Sequence, residues 1–482
     1  MVFNILKRLS ITGFALVVLG KSLFAGPPDT LWTKIFGGAG AEGGYWVEQT
    51  TDGGYILVGY TESYGAGNRD VWLIKTDANG NQVWNKTFGG DSADEGHCVH
   101  QTLDGGYIIG GITRSYGAGL NDIWLIKTDS LGDTLWTKTY GGSGDDGTTF
   151  GEGRVSVVQT TDGGYIAAGY SRYLGPGFGG IWLIKMDSSG DTLWTRVFGG
   201  SSSDLSYSIQ QTMDRGYIII GTTYSYDAGF GDFWLIKTDS LGNELWNKVY
   251  GTGAPEDGYS VQQTTDGGYI AVGHTLIMSP DRDMWFLKTD ANGDTLWSRI
   301  YYPYDSIGQE GYCVRQTIDG GYIISGFYTG MFWLIKTDQT GDTLWTKLFS
   351  NIGPARCVQQ TTDSGYIVVA NSGGNIRLLK FGAEPGIGES KVEGGGIQGK
   401  GLEVTPSVVK GSVGIRYSLP ETGDIRLRVY DAQGRFIKEI FRGYKDAGLH
   451  SLVIDCRALP SGTYFVELRN GKAVSRKMLV IH

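Results

Sequence analysis

The sequence predicts an all-β protein, a seven-bladed β-propeller followed by a small Ig-like β-sandwich, and three observations carry that prediction. One block, Gln-Thr-x-Asp-x-Gly-Tyr, occurs seven times, with its Tyr at 55, 107, 165, 217, 269, 322 and 366. Tryptophan recurs with the same period, so that thirteen of the 14 Trp fall at two fixed places in the repeat. Glycine, 79 of 482 residues, interrupts apolar runs that last only four to six residues, which leaves nothing suited to a helix. The period of 44–58 residues is the length of a propeller blade.

The chain opens on an address. Lys7 and Arg8 precede an apolar stretch from Leu9 to Gly20, then Lys21 and a cleavage point after Ala25. A charged start, an apolar run too short to span a bilayer and a small residue at the cut make residues 1–25 a signal peptide. No later segment is long and apolar enough for a membrane helix. Export permits disulfides, but four cysteines in a chain this long are no disulfide scaffold.

Residues 31–381 form the predicted propeller. Each repeat reads as four strands, typified by Tyr259–Thr264, Tyr269–Val272, Trp285–Lys288 and Thr295–Arg299, with Asp-Gly-Gly and Asp290-Ala-Asn-Gly293 as turns. Four-stranded antiparallel units repeated seven times point to a propeller. The phase of the repeats supports closure. A lone fourth-type strand, Leu31–Phe36, opens the series, and the last repeat stops after its third strand near Phe381, so residues 31–36 are expected to complete the last blade.

The Trp-bearing turn Asp-x-x-Gly-x-x-x-Trp resembles the tryptophan-docking repeat of bacterial quinoprotein propellers. The resemblance implies an indole packed between neighbouring blades. It does not extend to a quinone cofactor, because that family looks eight-bladed and carries a vicinal Cys pair, neither of which is present here. Lys or Arg two residues beyond each of these Trp, such as Lys86 and Lys248, is expected to blunt the exposed outer edge.

Residues 382–400, rich in Gly and broken by Pro385, read as a flexible linker. Residues 401–482 alternate as short strands, Gly414–Pro420, Ile425–Tyr430, His450–Asp455 and Tyr464–Leu468, the size of a small β-sandwich. The run Val429-Tyr-Asp-Ala-Gln-Gly-Arg435, then Leu459-Pro-Ser-Gly-Thr-Tyr464, then Arg476-Lys-Met-Leu-Val-Ile481 resembles the C-terminal sorting domain of the bacterial type IX secretion system. That resemblance implies delivery to the outer cell surface or the medium, with the type IX machinery as a partner.

A net charge of −9 disfavours nucleic acid as a ligand, since phosphate binding needs a basic face. No nucleophile elbow, zinc spacing, Walker loop or His-Glu-x-x-His occurs. Two candidate surfaces remain. Acids near the start of the innermost strands, Glu42, Glu95, Glu152, Asp204, Glu256 and Glu310, are candidates for a carboxylate ring holding a hard cation such as Ca²⁺. Trp46 departs from a slot that is otherwise Ser or Cys (Cys98, Ser156, Ser208, Ser260, Cys313, Cys357). With His97, His100, Tyr116, Tyr173, Tyr226 and Arg356 it is a candidate for an aromatic, sugar-binding surface. Cys313 and Cys357 bridge adjacent blades if their Cα atoms come within ~7 Å. The expected function is an exported binding or scaffold protein whose upper propeller face takes a glycan, peptide or protein. The alternative is a secreted polysaccharide hydrolase or lyase using acids of that face.

Overall fold

A computed structural model describes residues 27–148, 153–226, 230–276, 282–301 and 308–384, and in the tail 402–405, 408–409, 412–419, 422–431, 435–445, 448–455, 459–460, 462–470 and 473–481. One compact unit spans Asp29–Gly382 and a second spans Ala383–His482. Among the described residues no helix is long and apolar enough to cross a membrane.

The first unit is a seven-bladed β-propeller. Its sheets are antiparallel and run in sequence order from the innermost strand outward, as in Glu256–Gln263, Tyr269–Thr275, Asp283–Thr289 and Thr295–Tyr301 of blade 5. The two middle strands of each blade are buried along almost their whole length, which is why they read as short apolar runs without alternation. Blade 7 is made from both ends of the repeat array: Thr30–Phe36 pairs antiparallel with Asn375–Phe381. Blade 3 departs from the plan, since its inner strand is split into Asp146–Gly147 and Ser156–Gln159.

Three contacts repeat at the seams between blades and account for the repeated residues. The last Gln of each inner strand accepts a hydrogen bond from a turn N–H of the preceding blade at 2.8 Å. The series runs from Gln101 on Thr51 through Gln159, Gln211, Gln263, Gln316 and Gln360 to Gln49 on Thr362, a cycle with no open end. Each outer-strand Trp meets the repeated Tyr of the next blade, mostly edge-on, from Trp32 on Tyr55 at 5.9 Å to Trp345 on Tyr366 at 6.1 Å. The indole of Trp32 also lies over Gly80, where φ is +75° and a Cβ would come within 2.6 Å of the ring, so that turn admits only glycine. Outer-strand cations do more than blunt an edge: Lys86 reaches Asp133 at 2.7 Å and Lys248 reaches Asp294 at 3.1 Å, both in the next blade.

The second unit holds a three-stranded sheet (Leu402–Thr405, Ser412–Leu419, Gly448–Asp455) and a five-stranded one built on Gly423–Asp431, Phe436–Lys445, Gly462–Asn470 and Ala473–Ile481. Ile415 and Tyr417 of the first share a core with Leu427, Val466 and Leu479 of the second. Phe436–Lys445 escaped the sequence reading because its apolar residues do not alternate. It is an edge strand, and its pairing with Gly423–Asp431 carries two register shifts.

Candidate functional site

The inner strands of six blades contain a β-bulge at one shared position, where register slips between Gly44 and Trp46, Gly96 and Cys98, Ser206 and Ser208, Gly258 and Ser260, Gly311 and Cys313, and Ala355 and Cys357. A bulge adds one residue to a strand and re-aims its side chain. The six added residues are Tyr45, His97, Tyr207, Tyr259, Tyr312 and Arg356, and all six line one cavity of about 280 Å³ on the propeller axis. Blade 3 has no bulge there. Its split strand delivers Arg154 instead, anchored by the bond from Arg154 N–H to Ser206 C=O at 2.8 Å.

The cavity has two unlike halves. Tyr207, Tyr259 and Tyr312 form a wall of rings with centroids 4.9 and 5.7 Å apart. Burial pushes the phenol pKa of Tyr259 and Tyr312 up, as it does for Tyr45, so these hydroxyls stay protonated. The acids beside this wall are already engaged. Glu310 meets Arg282 at 2.5 Å, and Asp257 accepts from Thr222 Oγ1 at 2.6 Å with His274 3.6 Å away. The opposite half, from four consecutive blades, holds Arg356, Tyr45, His97 and Arg154. The Arg154 guanidinium lies 4.5 Å above the Tyr45 ring, and that of Arg356 lies 4.4 Å above the Tyr312 ring. His97 is buried; its Nδ1 accepts from Val155 N–H at 3.1 Å, and burial together with the charge of Arg154 holds its pKa well below the ordinary imidazole value. The ring is therefore neutral with its proton on Nε2, and among the described residues that buried donor has no partner.

Trp46 forms part of the floor. It fills the slot occupied elsewhere by Ser or Cys and packs against the cores of several blades, with Arg315 of blade 6 5.1 Å from its ring and His100 5.1 Å edge-on. Of the residues selected from sequence, Trp46, His97 and Arg356 come together here. The others lie elsewhere. His100 faces Glu48 at 2.6 Å and does not line the cavity. Tyr116 and Tyr226 are loop pillars: each packs at a tilt against the Trp of its own third strand and donates to a backbone carbonyl, Gly89 and Gly199 respectively. Tyr173 is exposed and lies against Gly144.

The acids separate into two sets because the count from the repeated Gln differs by one, and one residue moves a side chain to the other face of a strand. Glu42, Asp204 and Glu256 are buried at the strand start and bind the Thr that ends the second strand of their own blade, Thr61, Thr223 and Thr275. Glu95 and Glu310 instead meet Arg69 at 2.8 Å and Arg282. Glu152 lies outside the described residues. Among the described residues no three His, Cys, Asp or Glu side chains gather in a way that would hold a metal ion. Cys313 and Cys357 are free thiols with sulfurs 3.8 Å apart.

The four cavity tyrosines and Arg154 were not found from sequence. The signal of the tyrosines was a small residue directly before an aromatic one in the inner strand, Gly44-Tyr45, Ser206-Tyr207, Gly258-Tyr259 and Gly311-Tyr312, which is how a bulge announces itself.

Residues 404–482 match the family model of the secretion system C-terminal sorting domain. No curated protein matches the chain. Among solved structures it is similar to PorZ, a surface component of the type-IX secretion system of Porphyromonas gingivalis, at 12% identity over 93% of this chain and 60% of that one, with a TM-score of 0.44. It is also similar to a protein of unknown function from Bacteroides caccae (11% identity, 52% and 80% covered, TM-score 0.35) and to a putative gluconolactonase (10%, 59% and 87%, TM-score 0.33). This chain thus spans about 60% of the length of PorZ. The tail is a type IX sorting domain, and the protein is secreted or displayed at the cell surface.

Proposed function

We propose that this type IX-exported protein is a binding protein whose propeller takes a glycan in the axial cavity of its upper face. The bulge shared by six inner strands supports the reading most directly. A bulge costs a blade part of its ladder, and here that cost recurs at the one position that turns six side chains toward a common space. Rings with a polar tip, such as the Tyr207–Tyr259–Tyr312 wall, suit the mixed apolar and hydroxylated faces of a sugar. The hydrolase or lyase alternative is less well supported. A general acid needs a raised pKa, whereas at Glu310 burial alone would raise it and the Arg282 bond and charge more than offset this, holding it low.

A glycan array probed with the full chain tests the proposal. The expected result is retention of a defined set of glycans that is lost in Tyr207→Ala and Tyr312→Ala. Retention unaffected by either change would place the site elsewhere. Release of shortened products from the retained glycans, abolished by Glu310→Gln, would replace binding by hydrolysis.

A further inference from the structure

The charge in the cavity is out of keeping with the chain. The protein carries a net −9, yet the cavity is lined by Arg154, Arg282 and Arg356 against only Asp257 and Glu310. Arg282 and Glu310 cancel each other. Among the described residues, Arg154 and Arg356 have no ion pair and no side-chain hydrogen bond, and each lies over a tyrosine ring. The Nε–H of Arg356 is buried without a partner, as is the Nε2–H of His97. Unmet donors of this kind are costly in a folded protein unless something accepts from them. Two guanidinium groups and an imidazole that line one space match the planar, doubly accepting shape of a carboxylate.

We infer that the ligand is an acidic sugar of the hexuronate class, bound with its carboxylate on Arg154 and Arg356, beside His97, and its ring face on the Tyr207–Tyr259–Tyr312 wall. This rests on the reading of the cavity as a glycan site. The cavity, at about 280 Å³, lies at the small end of ligand pockets and suits a single sugar residue. A second cavity of about 350 Å³, lined by the Arg69–Glu95 ion pair, Arg114 and Asn121, shares His97 and Arg154 with the first. A neighbouring residue of an oligosaccharide has room there, which makes a chain the better ligand than a free monosaccharide.

Calorimetry on the full chain with trigalacturonate, its methyl ester, neutral galactotriose and an acidic tripeptide separates the possibilities. The acid is expected to bind at least tenfold more tightly than its ester, and more weakly as salt rises. Arg154→Gln and Arg356→Gln are each expected to weaken it about tenfold while leaving the melting temperature near wild type, since neither side chain is paired. The comparison of acid with ester needs no variant, so it stands even if a variant misfolds. Equal binding of acid, ester and neutral sugar would overturn the carboxylate inference and leave the glycan site intact. Binding of the peptide alone, or of none of the four, would overturn the glycan reading as well.

Discussion

Lys237 Nζ lies 2.9 Å from the carboxylate of Asp214, joining the third strand of blade 4 to the turn between its first two strands. The same pair recurs in every blade, from Lys75–Asp52 to Lys380–Asp363, at 2.8–3.0 Å. Each Lys is buried and also donates to a backbone carbonyl, such as Thr238 C=O at 2.8 Å. Each Asp is partly exposed and accepts in addition from the turn Thr and Gly, as at Asp214. The Asp of the repeated Gln-Thr-x-Asp-x-Gly-Tyr block and the Lys of the third strand are therefore the two halves of one latch. The Asp is needed because the buried Lys alone would leave a poorly compensated charge inside the blade.

Asp214→Asn should accordingly destabilise the propeller more than an ordinary surface change. Removing one member of a fully buried pair costs roughly 3–5 kcal/mol. Asp214 is more than half exposed and screened, so about 1–2 kcal/mol is expected. The measurement is the urea midpoint of the full chain. Asp214→Asn together with Lys237→Met, which removes the stranded charge, should recover part of the loss.

The strands, their number and the closure of the ring were legible because each rests on a residue type that recurs in place: Gln for the seam, Trp and Tyr for the packing, Gly for the turns. The lining of the axial cavity was legible only where it broke the repeat. Trp46 and His97 stood out because other repeats have different residues there, whereas Tyr207, Tyr259 and Tyr312 agreed with one another and so looked like scaffold. The bulge that turns them toward the axis changes the register by one residue, and one residue is the difference between the two faces of a strand. The same one-residue ambiguity merged the buried Glu42 and Asp204 with Glu95 and Glu310, which meet arginines.

Arg215→Gly should stabilise the chain. Arg215 occupies the turn position held by Gly53, Gly105, Gly163, Gly267 and Gly320 in other blades, and it adopts φ +66°. A side chain in that region costs about 1–2 kcal/mol, partly offset by the greater freedom of glycine in the unfolded chain. The net gain expected is about 0.5–1 kcal/mol, read as a higher melting temperature. No change would mean that the Arg215 side chain compensates for its own strain.

Cys98→Ser should be close to neutral. Cys98 Sγ accepts from Val157 N–H of the next blade at 3.3 Å, as Ser156 Oγ accepts from Ile209 N–H and Ser260 Oγ from Val314 N–H, both at 3.3 Å. The slot is built for a small acceptor, and a hydroxyl serves at least as well as a thiol. Burial pushes the Cys98 thiol up to about 11, so the native chain should react slowly with a thiol reagent and release this cysteine only on unfolding. A rapid native reaction, or a loss above about 1 kcal/mol in Cys98→Ser, would contradict this packing role.

In the latches, burial raises the Asp pKa, but the bonds from Lys, Thr and Gly outweigh it, and Asp52 and Asp104 come down to about 2. A lowered pKa supplies stability that is complete above the unfolded value near 4 and is lost as pH falls from there toward 2. Asp70 behaves in the opposite sense. Burial and the neighbouring charge of Asp94 raise it to about 6, so the folded chain binds a proton that the unfolded chain does not, and stability grows as pH falls from about 6 toward 4. Asp122, buried beside Asp146, and Glu256, buried near Asp232, are raised in the same way at other seams. The melting temperature should therefore pass through a maximum between about pH 4 and 6 rather than at neutrality. Asp70→Asn removes the charge at one seam while keeping its shape. It should raise the melting temperature at pH 7.5, and the gain should vanish near pH 4, where Asp70 is protonated in wild type. A gain that stayed constant across that range would show that Asp70 is not held near Asp94 in its charged form.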